Sequence, residues 1–161
     1  MAVLPDVLRP NLRIVFCGVA AGRESARRGV YYSGRGNRFW SVLAEIGLVP
    51  RLDPDQFETL PQYGIGLTDL AKKASGSDAE IMHSVVDVDA LREKIERYSP
   101  RVLAFNGKKA AQTFLRRKVA YGIQRETVGR TLVFVLPSTS GAANGYWDIA
   151  HWRVLAELAG V

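Results

Sequence analysis

The stretch "RVLAFNGKKAAQTFLRR", residues 101–117, decides the fold class because a buried strand leads directly into a helix there. Its first half is a short apolar run that stops at Asn106 and Gly107, which is typical of a fully buried strand. Its second half, which begins at Lys108, has basic residues at both ends of a helical segment. A strand followed at once by a helix is half of a βαβ unit, and such units build parallel sheets.

The same alternation of strand and helix continues along the rest of the chain. Strands are predicted at "LRIVFCG", "YGIGLTD" and "TLVFVLP", and helices at "NRFWSVLAEIGL", "DVDALREKIERY" and "WDIAHWRVLAELAG". Asn37, and Asp87 or Asp89, stand where helix N-caps are expected. We therefore predict an α/β fold, a three-layer α/β/α sandwich with a short, central, mainly parallel sheet.

Length and charge narrow the possible functions. The 161 residues fit a single domain over 1–161, with an N-terminal arm over 1–11. A formal net charge of +6 suits a polyanionic partner. The one cysteine, Cys17, excludes an intrachain disulfide and indicates a buried core residue in a reducing compartment. No apolar run is long enough to span a bilayer, so we expect a cytoplasmic protein.

Three loops follow strands of the predicted sheet, and ligands of such sheets bind beyond the carboxyl ends of the strands. The loops are 18–37, 68–78 and 137–146. The first contains "YYSGRG", whose aromatic rings and arginine suit stacking on a base and neutralising phosphate. Because Tyr31 and Tyr32 lie outside any periodic apolar segment, we expect both outside the core. The third contains "PSTSGAANG", where small residues let backbone amides approach a phosphate.

The sequence lacks the motifs of several other kinds of functional site. The segment "GVAAGRES" contains neither GxGxxG nor GxxxxGK[ST], and GxSxG occurs nowhere. His83 and His151 are far apart in sequence and no second cysteine exists, so no metal site and no cofactor are predicted. A small-nucleotide α/β enzyme remains an alternative, and it would bind free nucleotides with little dependence on salt.

Five segments taken in order resemble the successive motifs of the mismatch-specific uracil/thymine DNA glycosylases, within the uracil-DNA glycosylase superfamily. They are "CGVAAGRES", "YYSGRGNRFW", "YGIGLTDL", "RVLAFNGKKA" and "VLPSTSGAAN", and the match runs from about Leu12 to the C-terminus. The resemblance implies a sheet sandwiched by helices, a base flipped out of DNA, and hydrolysis of its N-glycosidic bond without a metal. It also implies a monomer that acts on uracil-containing DNA, single- or double-stranded, at the start of base excision repair near the nucleoid.

The resemblance also assigns residues to roles. Tyr32 matches the aromatic side chain on which the base stacks, and Asp69 falls where a polar side chain lines the pocket edge and could accept the N3–H of uracil. The amides of Val19 and Tyr32 are expected to read the base carbonyls. The expected DNA-binding residues are Ser138, Ser140, Gly141, Ala142, Asn144 and Arg35.

The sequence departs from the family pattern at two places. Where relatives read Gly-Ile-Asn-Pro-Gly, with the Asn positioning the attacking water, residues 18–22 read "GVAAG", and Ala20 cannot hold a water. Where relatives insert a leucine or arginine into the duplex, this chain has Ala142 and Ala143, with Asn144 beyond. Alanine is too short to fill a vacated base stack, so single-stranded or mispaired substrates are expected to be preferred.

Four residues are candidates to replace the missing asparagine. Asn37 is the first, at the mouth of the pocket, although the same residue could serve only as an N-cap worth about 1 kcal/mol. Glu24 and Ser25 are next, with a solvated Glu24 carboxylate at a helix start as the alternative, and Asp69 could also orient a water. A basic rim toward the phosphates is predicted from Arg23, Arg27, Arg28, Arg35 and Arg38.

These observations predict a monofunctional uracil-DNA glycosylase. No lysine is placed for Schiff-base lyase chemistry, since Lys108 belongs to the "FNGK" turn and is interpreted as structural. The alternative is a non-catalytic uracil or damaged-DNA binder in which Ala20 marks lost chemistry. Both hypotheses use the same pocket, but only the glycosylase hypothesis predicts that the bound base is removed.

Overall fold

The structure is a computed structural model that describes residues 3–72 and 87–160. Its strands are β1 (Ile14–Gly18), β2 (Ile65–Asp69), β3 (Val102–Asn106), β4 (Gly122–Val128) and β5 (Thr131–Leu136). Its α-helices are α1 (Arg23–Arg28), α2 (Phe39–Glu45), α3 (Val88–Tyr98), α4 (Lys108–Leu115) and α5 (Ile149–Leu158). Two 3₁₀ segments lie at Pro54–Tyr63 and Gly141–Tyr146.

The five strands form one sheet in the order β2-β1-β3-β5-β4. The pairs β1–β2, β1–β3 and β3–β5 are parallel, and β4 runs antiparallel to β5. The predicted mainly parallel α/β sheet is therefore confirmed. Gly18 pairs with Asp69, and Asn106 pairs with Leu136, so four strands end at the same edge of the sheet.

Strand β4 was not predicted from the sequence. It carries the polar sequence "GIQRETV", and its residues alternate between partly buried and exposed up to Val128. This is the pattern of an edge strand with one face in water, and it lacks the continuous apolar run that marks the buried parallel strands.

The sheet has an apolar core on each face, because alternate residues of a strand point to opposite sides. On β1, Ile14 and Phe16 pack into one core cluster, whereas Val15 and Cys17 pack into the other. Cys17 is fully buried, as predicted, and this burial raises the pKa of its thiol well above its usual value. Helices on both faces of the sheet bury these two clusters.

The N-terminal arm packs against the sheet. Leu4 and Val7 belong to the core, and Val7 exchanges two backbone hydrogen bonds of 2.9 Å with Leu67 on β2. This contact requires glycine at position 66, because a Cβ there would lie 2.6 Å from the Val7 carbonyl oxygen. The arm therefore covers the outer strand of the sheet.

The structure corrects two sequence predictions, one on the N-cap residue of α2 and one on the exposure of the tyrosine pair. Helix α2 has Arg38 at its N-cap position, so Asn37 lies one residue earlier than expected. Tyr31 is 2% exposed and packs in the core, contrary to its expected surface position. By contrast, Asp87 caps α3 as predicted, and its Oδ1 accepts a 2.8 Å hydrogen bond from the Ala90 amide.

Some predictions fall on residues that the structure does not describe. These are His83 and the part of the 68–78 loop beyond residue 72. Among the helices that the structure describes, none is both long and apolar enough to cross a membrane.

Candidate functional site

A cavity of about 670 Å³ opens at the sheet edge where β1, β2, β3 and β5 end. This volume lies within the range of about 300–1,000 Å³ that is typical of ligand sites. The described parts of all three predicted loops contribute to its wall, and a fourth segment, 106–109 after β3, joins them. The cavity thus lies where the strand-to-helix pattern led us to expect a ligand.

Tyr32 forms one wall of the cavity. Its ring stacks on Phe39 with 4.0 Å between the centroids and 24° between the planes, and Phe39 itself is fully buried. The Tyr32 hydroxyl is buried, and burial raises its pKa well above the usual value, although the nearby Asn106 side chain opposes that rise. Tyr32 also has a φ of 51°, which is uncommon outside glycine. The ring is therefore held firmly at the cavity wall, as a stacking surface requires.

Asp69 lies at the end of β2 and is only 6% exposed. Burial raises the pKa of its carboxyl to about 6, and the ammonium of Lys72, 3.5 Å from Oδ2, opposes that rise. A methyl group at Gly18 would come within 3.2 Å of Asp69 Oδ1 and 3.7 Å of the Tyr32 hydroxyl. The carboxyl and the phenol therefore flank the end of β1 inside the same cavity.

Behind Asp69, a chain of ion pairs connects the cavity with the N-terminal arm and α3. Lys72 Nζ lies 3.1 Å from Asp6 Oδ1 and donates to the Tyr31 hydroxyl at 2.9 Å, and Lys94 Nζ lies 2.7 Å from Asp6 Oδ2. Burial favours the neutral form of Asp6, but the two lysines and the hydroxyl of Thr68, which donates to Asp6 Oδ1 at 2.7 Å, together outweigh it and lower the pKa of that carboxyl. Lys72 is thus shared between two carboxylates, so Asp69 has an incompletely neutralised charge.

Asn37 lines the cavity and is half-buried. Its Oδ1 accepts a 3.0 Å hydrogen bond from the amide of Phe39, so the side chain does support the first turn of α2. The side-chain NH₂ group makes no hydrogen bond with the residues that the structure describes. One end of the amide is therefore structural, and the other is available to a ligand.

Ala20 and Glu24 also line the cavity, with different consequences. Ala20 brings only a methyl group, as the sequence indicated. The carboxylate of Glu24 accepts hydrogen bonds from both Nε and an Nη of Arg27, and hydrogen bonding to Arg27 is the main reason that the pKa of Glu24 is lowered. A carboxylate held in this way is a weaker base.

Asn106 is a site residue that the sequence reasoning missed. Its Nδ2 donates to Thr139 Oγ1 at 2.9 Å, and its Oδ1 accepts from the Thr139 amide at 3.0 Å. The Thr139 carbonyl in turn accepts from the Arg38 amide at 2.9 Å. Asn106 thereby ties together the loops after β3, β5 and β1. The only signal in the sequence was an asparagine at the end of a buried strand, which we had treated as part of a family motif.

The predicted DNA-binding loop after β5 forms the opposite lip of the cavity. Ser138 Oγ accepts from the Ser140 amide at 3.1 Å, and Ser140 Oγ accepts from the Ala142 amide at 3.3 Å. Each hydroxyl keeps its own hydrogen to donate to an anion. Gly141 packs against the backbone of the "YYSGRG" loop, since a Cβ there would lie 3.3 Å from the Arg35 carbonyl oxygen. The side chain of Asn144 lies outside the described part of the structure.

The predicted basic rim is only partly present. Arg23 and Arg35 line the cavity. Arg27 pairs with Glu24, Arg28 donates to the Ser33 carbonyl at 3.5 Å, and the guanidinium of Arg38 lies 5.1 Å from the Trp147 ring centroid. Two lysines not assigned to the rim, Lys108 and Lys109, line the cavity as well.

Val19 is buried and lines the cavity, and its predicted role in reading a base stays a prediction. Its carbonyl is already engaged by the Ala71 amide at 2.7 Å. Within residues 3–72 and 87–160, no group of three histidine, cysteine, aspartate or glutamate side chains is arranged to hold a metal ion.

Two comparisons with known proteins agree on what this chain is similar to. The family model of the Uracil DNA glycosylase superfamily matches residues 5–155. A protein from Methanosarcina acetivorans, solved by NMR and proposed to be a uracil DNA glycosylase, is similar in structure with a TM-score of 0.68. The two sequences are 27% identical, and the alignment covers 96% of each chain.

Proposed function

This chain belongs to the uracil DNA glycosylase superfamily, and we propose that it removes uracil, and other deaminated bases, from DNA by hydrolysis of the N-glycosidic bond. One observation carries the proposal: Tyr32, stacked on the buried Phe39, lines a cavity with the buried carboxyl of Asp69 and the amide of Asn37. A flipped base requires a stacking surface and polar groups at its edge. We further propose that the chain is a variant of the mismatch-specific branch, with Ala20 in place of the usual asparagine.

In this proposal the base lies on the Tyr32 ring, and Asp69 meets its Watson-Crick edge. With a pKa of about 6, the Asp69 carboxyl is mostly ionised at pH 7 and accepts the N3–H of uracil. Below pH 6 it is mostly protonated and can donate to a carbonyl or ring nitrogen instead. The group therefore offers different hydrogen-bonding patterns on the two sides of pH 6, which suits recognition of more than one deaminated base.

Hydrolysis replaces the bond between the base and C1′ of the sugar with a bond from C1′ to a water oxygen. The base leaves with the bonding electrons and gains a proton, while the sugar passes through a positively charged state. We assign Asn37 to hold the attacking water through its unpaired NH₂ group, which donates to the water oxygen. The leaving base gains negative charge at this step, and a hydrogen-bond donor that meets such charge contributes about 3 kcal/mol.

The serines of the β5 loop, together with Arg35 and the lysines at the cavity rim, would bind the phosphates. The loop hydroxyls of Ser138 and Ser140 are already oriented by their backbone contacts. The ammonium of Lys108 lies 4.4 Å from the Tyr121 ring centroid, which supports a structural role over a Schiff base. We therefore propose a monofunctional enzyme that leaves an abasic site.

Single-turnover cleavage of uracil in single-stranded, U:A and U:G oligonucleotides tests the proposal, with alkali added to break abasic sites. Wild type should give breaks only after alkali, whereas breaks without alkali would show lyase activity. Asn37→Ala should slow excision by about 100-fold or more, the usual contribution of a positioned catalytic group.

Asn37→Ser is the matched control, because serine can still accept the Phe39 amide hydrogen bond but has no amide NH₂ group. Equal loss of activity in Asn37→Ser and Asn37→Ala, with normal folding, supports catalysis by the amide. Full activity of Asn37→Ser would show that Asn37 contributes only the hydrogen bond that it accepts from the Phe39 amide.

Ala20 in the cavity wall favours a second candidate, a protein that binds uracil or damaged DNA without turnover. That protein would bind uracil-containing DNA, and the binding would weaken steeply with salt because several phosphates are contacted. Salt-sensitive binding with no strand breaks on any substrate would favour the binder over the enzyme.

A further inference from the structure

Tyr146 is a large aromatic side chain at the lip of the cavity, and it is 75% exposed. Two other large apolar side chains in the described part of the chain, Ile123 and Val154, are more than half exposed, but neither lines the cavity. The Tyr146 ring therefore offers a flat apolar surface to whatever approaches the cavity.

The adjacent loop, residues 137–145, contains no other large side chain. When a nucleotide leaves a duplex, proteins commonly insert a large side chain into the space. Ala142 and Ala143 are too short for that purpose, and they share the 3₁₀ segment Gly141–Tyr146 with the tyrosine. A wedge on this loop must therefore come from beyond the two alanines.

The backbone on both sides of Tyr146 is anchored. At the start of the segment, Ser140 Oγ accepts from the Ala142 amide, and Gly141 packs against the Arg35 carbonyl. Directly after Tyr146, the Trp147 ring lies 6.0 Å from the Trp152 ring. Trp147 also carries the guanidinium of Arg38 on its face. A side chain presented from such a support can enter a base stack without first ordering its own loop.

We propose that Tyr146 enters the base stack of duplex DNA when the target nucleotide turns into the cavity. This inference rests on the proposed function, because it requires DNA with a flipped nucleotide. Arg35, Lys108 and Lys109 line the same cavity and would hold the phosphates beside the inserted ring. Tyr146 is thus a positioning residue that favours extrusion from duplex DNA and has no part in breaking the glycosidic bond.

The test compares Tyr146→Ala and Tyr146→Phe with wild type, and Ile123→Ala is the control for an exposed apolar residue away from the cavity. Single-turnover excision is measured on single-stranded, U:A and U:G substrates. Tyr146→Ala should slow duplex excision by about 5- to 150-fold, the range for loss of one base-aromatic stack, and should leave the single-stranded rate within about twofold. Tyr146→Phe and Ile123→Ala should retain the wild-type ratio of duplex to single-stranded rates.

A second measurement does not require cleavage. Duplexes carry 2-aminopurine beside an abasic-site analogue, and stacking by an inserted ring quenches its fluorescence. Wild type and Tyr146→Phe should quench the signal, and Tyr146→Ala should not. If wild type removes no uracil, the proposed function fails while this readout still tests Tyr146. Equal quenching by Tyr146→Ala and wild type, or an unchanged ratio of rates, would overturn the inference.

Discussion

Replacing Asp69 with asparagine should stabilise the protein near neutral pH. Asp69 is 6% exposed, and burial raises the pKa of its carboxyl from the ordinary 3.8 to about 6. The folded protein therefore holds the Asp69 proton more tightly than the unfolded chain does. The stability contributed by the protonated carboxyl is complete below pH 3.8 and is lost as the pH rises through about 6.

The size of the effect follows from the same pKa values. One pKa unit corresponds to 1.36 kcal/mol, so a rise from 3.8 to about 6 makes ionised Asp69 cost up to about 3 kcal/mol at pH 7.5. Asparagine has nearly the shape of the protonated carboxyl and never ionises. Lys72 keeps its partner Asp6 at 3.1 Å in the variant, so no buried ammonium is left without a counter-charge.

Urea unfolding of wild type and Asp69→Asn at pH 4.5, 6.0 and 7.5 measures this effect. The variant should gain stability relative to wild type as the pH rises, with most of the gain above pH 6. The difference between the two proteins isolates Asp69, because all other titrating groups are shared. A difference that does not change with pH, or a less stable variant at pH 7.5, would refute the reasoning.

The same variant tests the base contact. Asp69→Asn should change the relative rates on uracil and other deaminated bases, because an amide presents both a donor and an acceptor where the carboxylate only accepts. The affinity for DNA should change little, since the residues that we propose to bind phosphates lie elsewhere in the cavity wall. An unaltered order of base preference would remove Asp69 from the base edge. Such a stabilising change that harms function is common at active sites.

Two further substitutions test the stacking wall and the packing of the arm. Tyr32→Ala should abolish base binding and lower the free energy of unfolding by about 1–3 kcal/mol, because one ring face packs on Phe39. Tyr32→Phe is the control and should retain both base binding and stability. Full uracil excision by Tyr32→Ala would show that the ring holds no base. Gly66→Ala should destabilise by about 1–3 kcal/mol, as measured by thermal unfolding, because its Cβ would lie 2.6 Å from the Val7 carbonyl oxygen. Gly34→Ala, with open space around it, is the matched control, and equal stability of the two variants would contradict the tight packing of the arm.

The class of fold could be predicted because its signal is local. Buried parallel strands such as β1 and β3 are continuous apolar runs, and α3 and α5 show helical periodicity between recognisable caps. These patterns depend on neighbours within a few residues, so they are visible in the sequence. Because ligands of parallel sheets bind beyond the carboxyl ends of the strands, the sequence then pointed to the loops that form the cavity.

The parts that sequence reasoning missed depend on contacts between distant segments. Tyr31 is buried because the N-terminal arm and the 3₁₀ segment Pro54–Tyr63 enclose it. Its hydroxyl donates to the Pro5 carbonyl at 2.8 Å, and its ring centroid lies 5.4 Å from that of Phe57. Nothing within the "YYSGRG" loop distinguishes its two tyrosines. Asn106 is likewise paired with Thr139, 33 residues away, and only the strand order brings them together.

By itself, the sequence determined the alternating strands and helices, the edge of the sheet that carries the site, and the residues Tyr32, Asp69 and Asn37 as candidates. Only the tertiary structure decided what each of them contacts. It buried Asp69, which raises the pKa of its carboxyl to about 6 against the opposing charge of Lys72, and it engaged Glu24, Arg27, Arg28 and Arg38 in contacts of their own. The physical reason is that periodicity is a property of neighbouring residues, whereas burial and charge pairing depend on which distant residues the fold brings into contact.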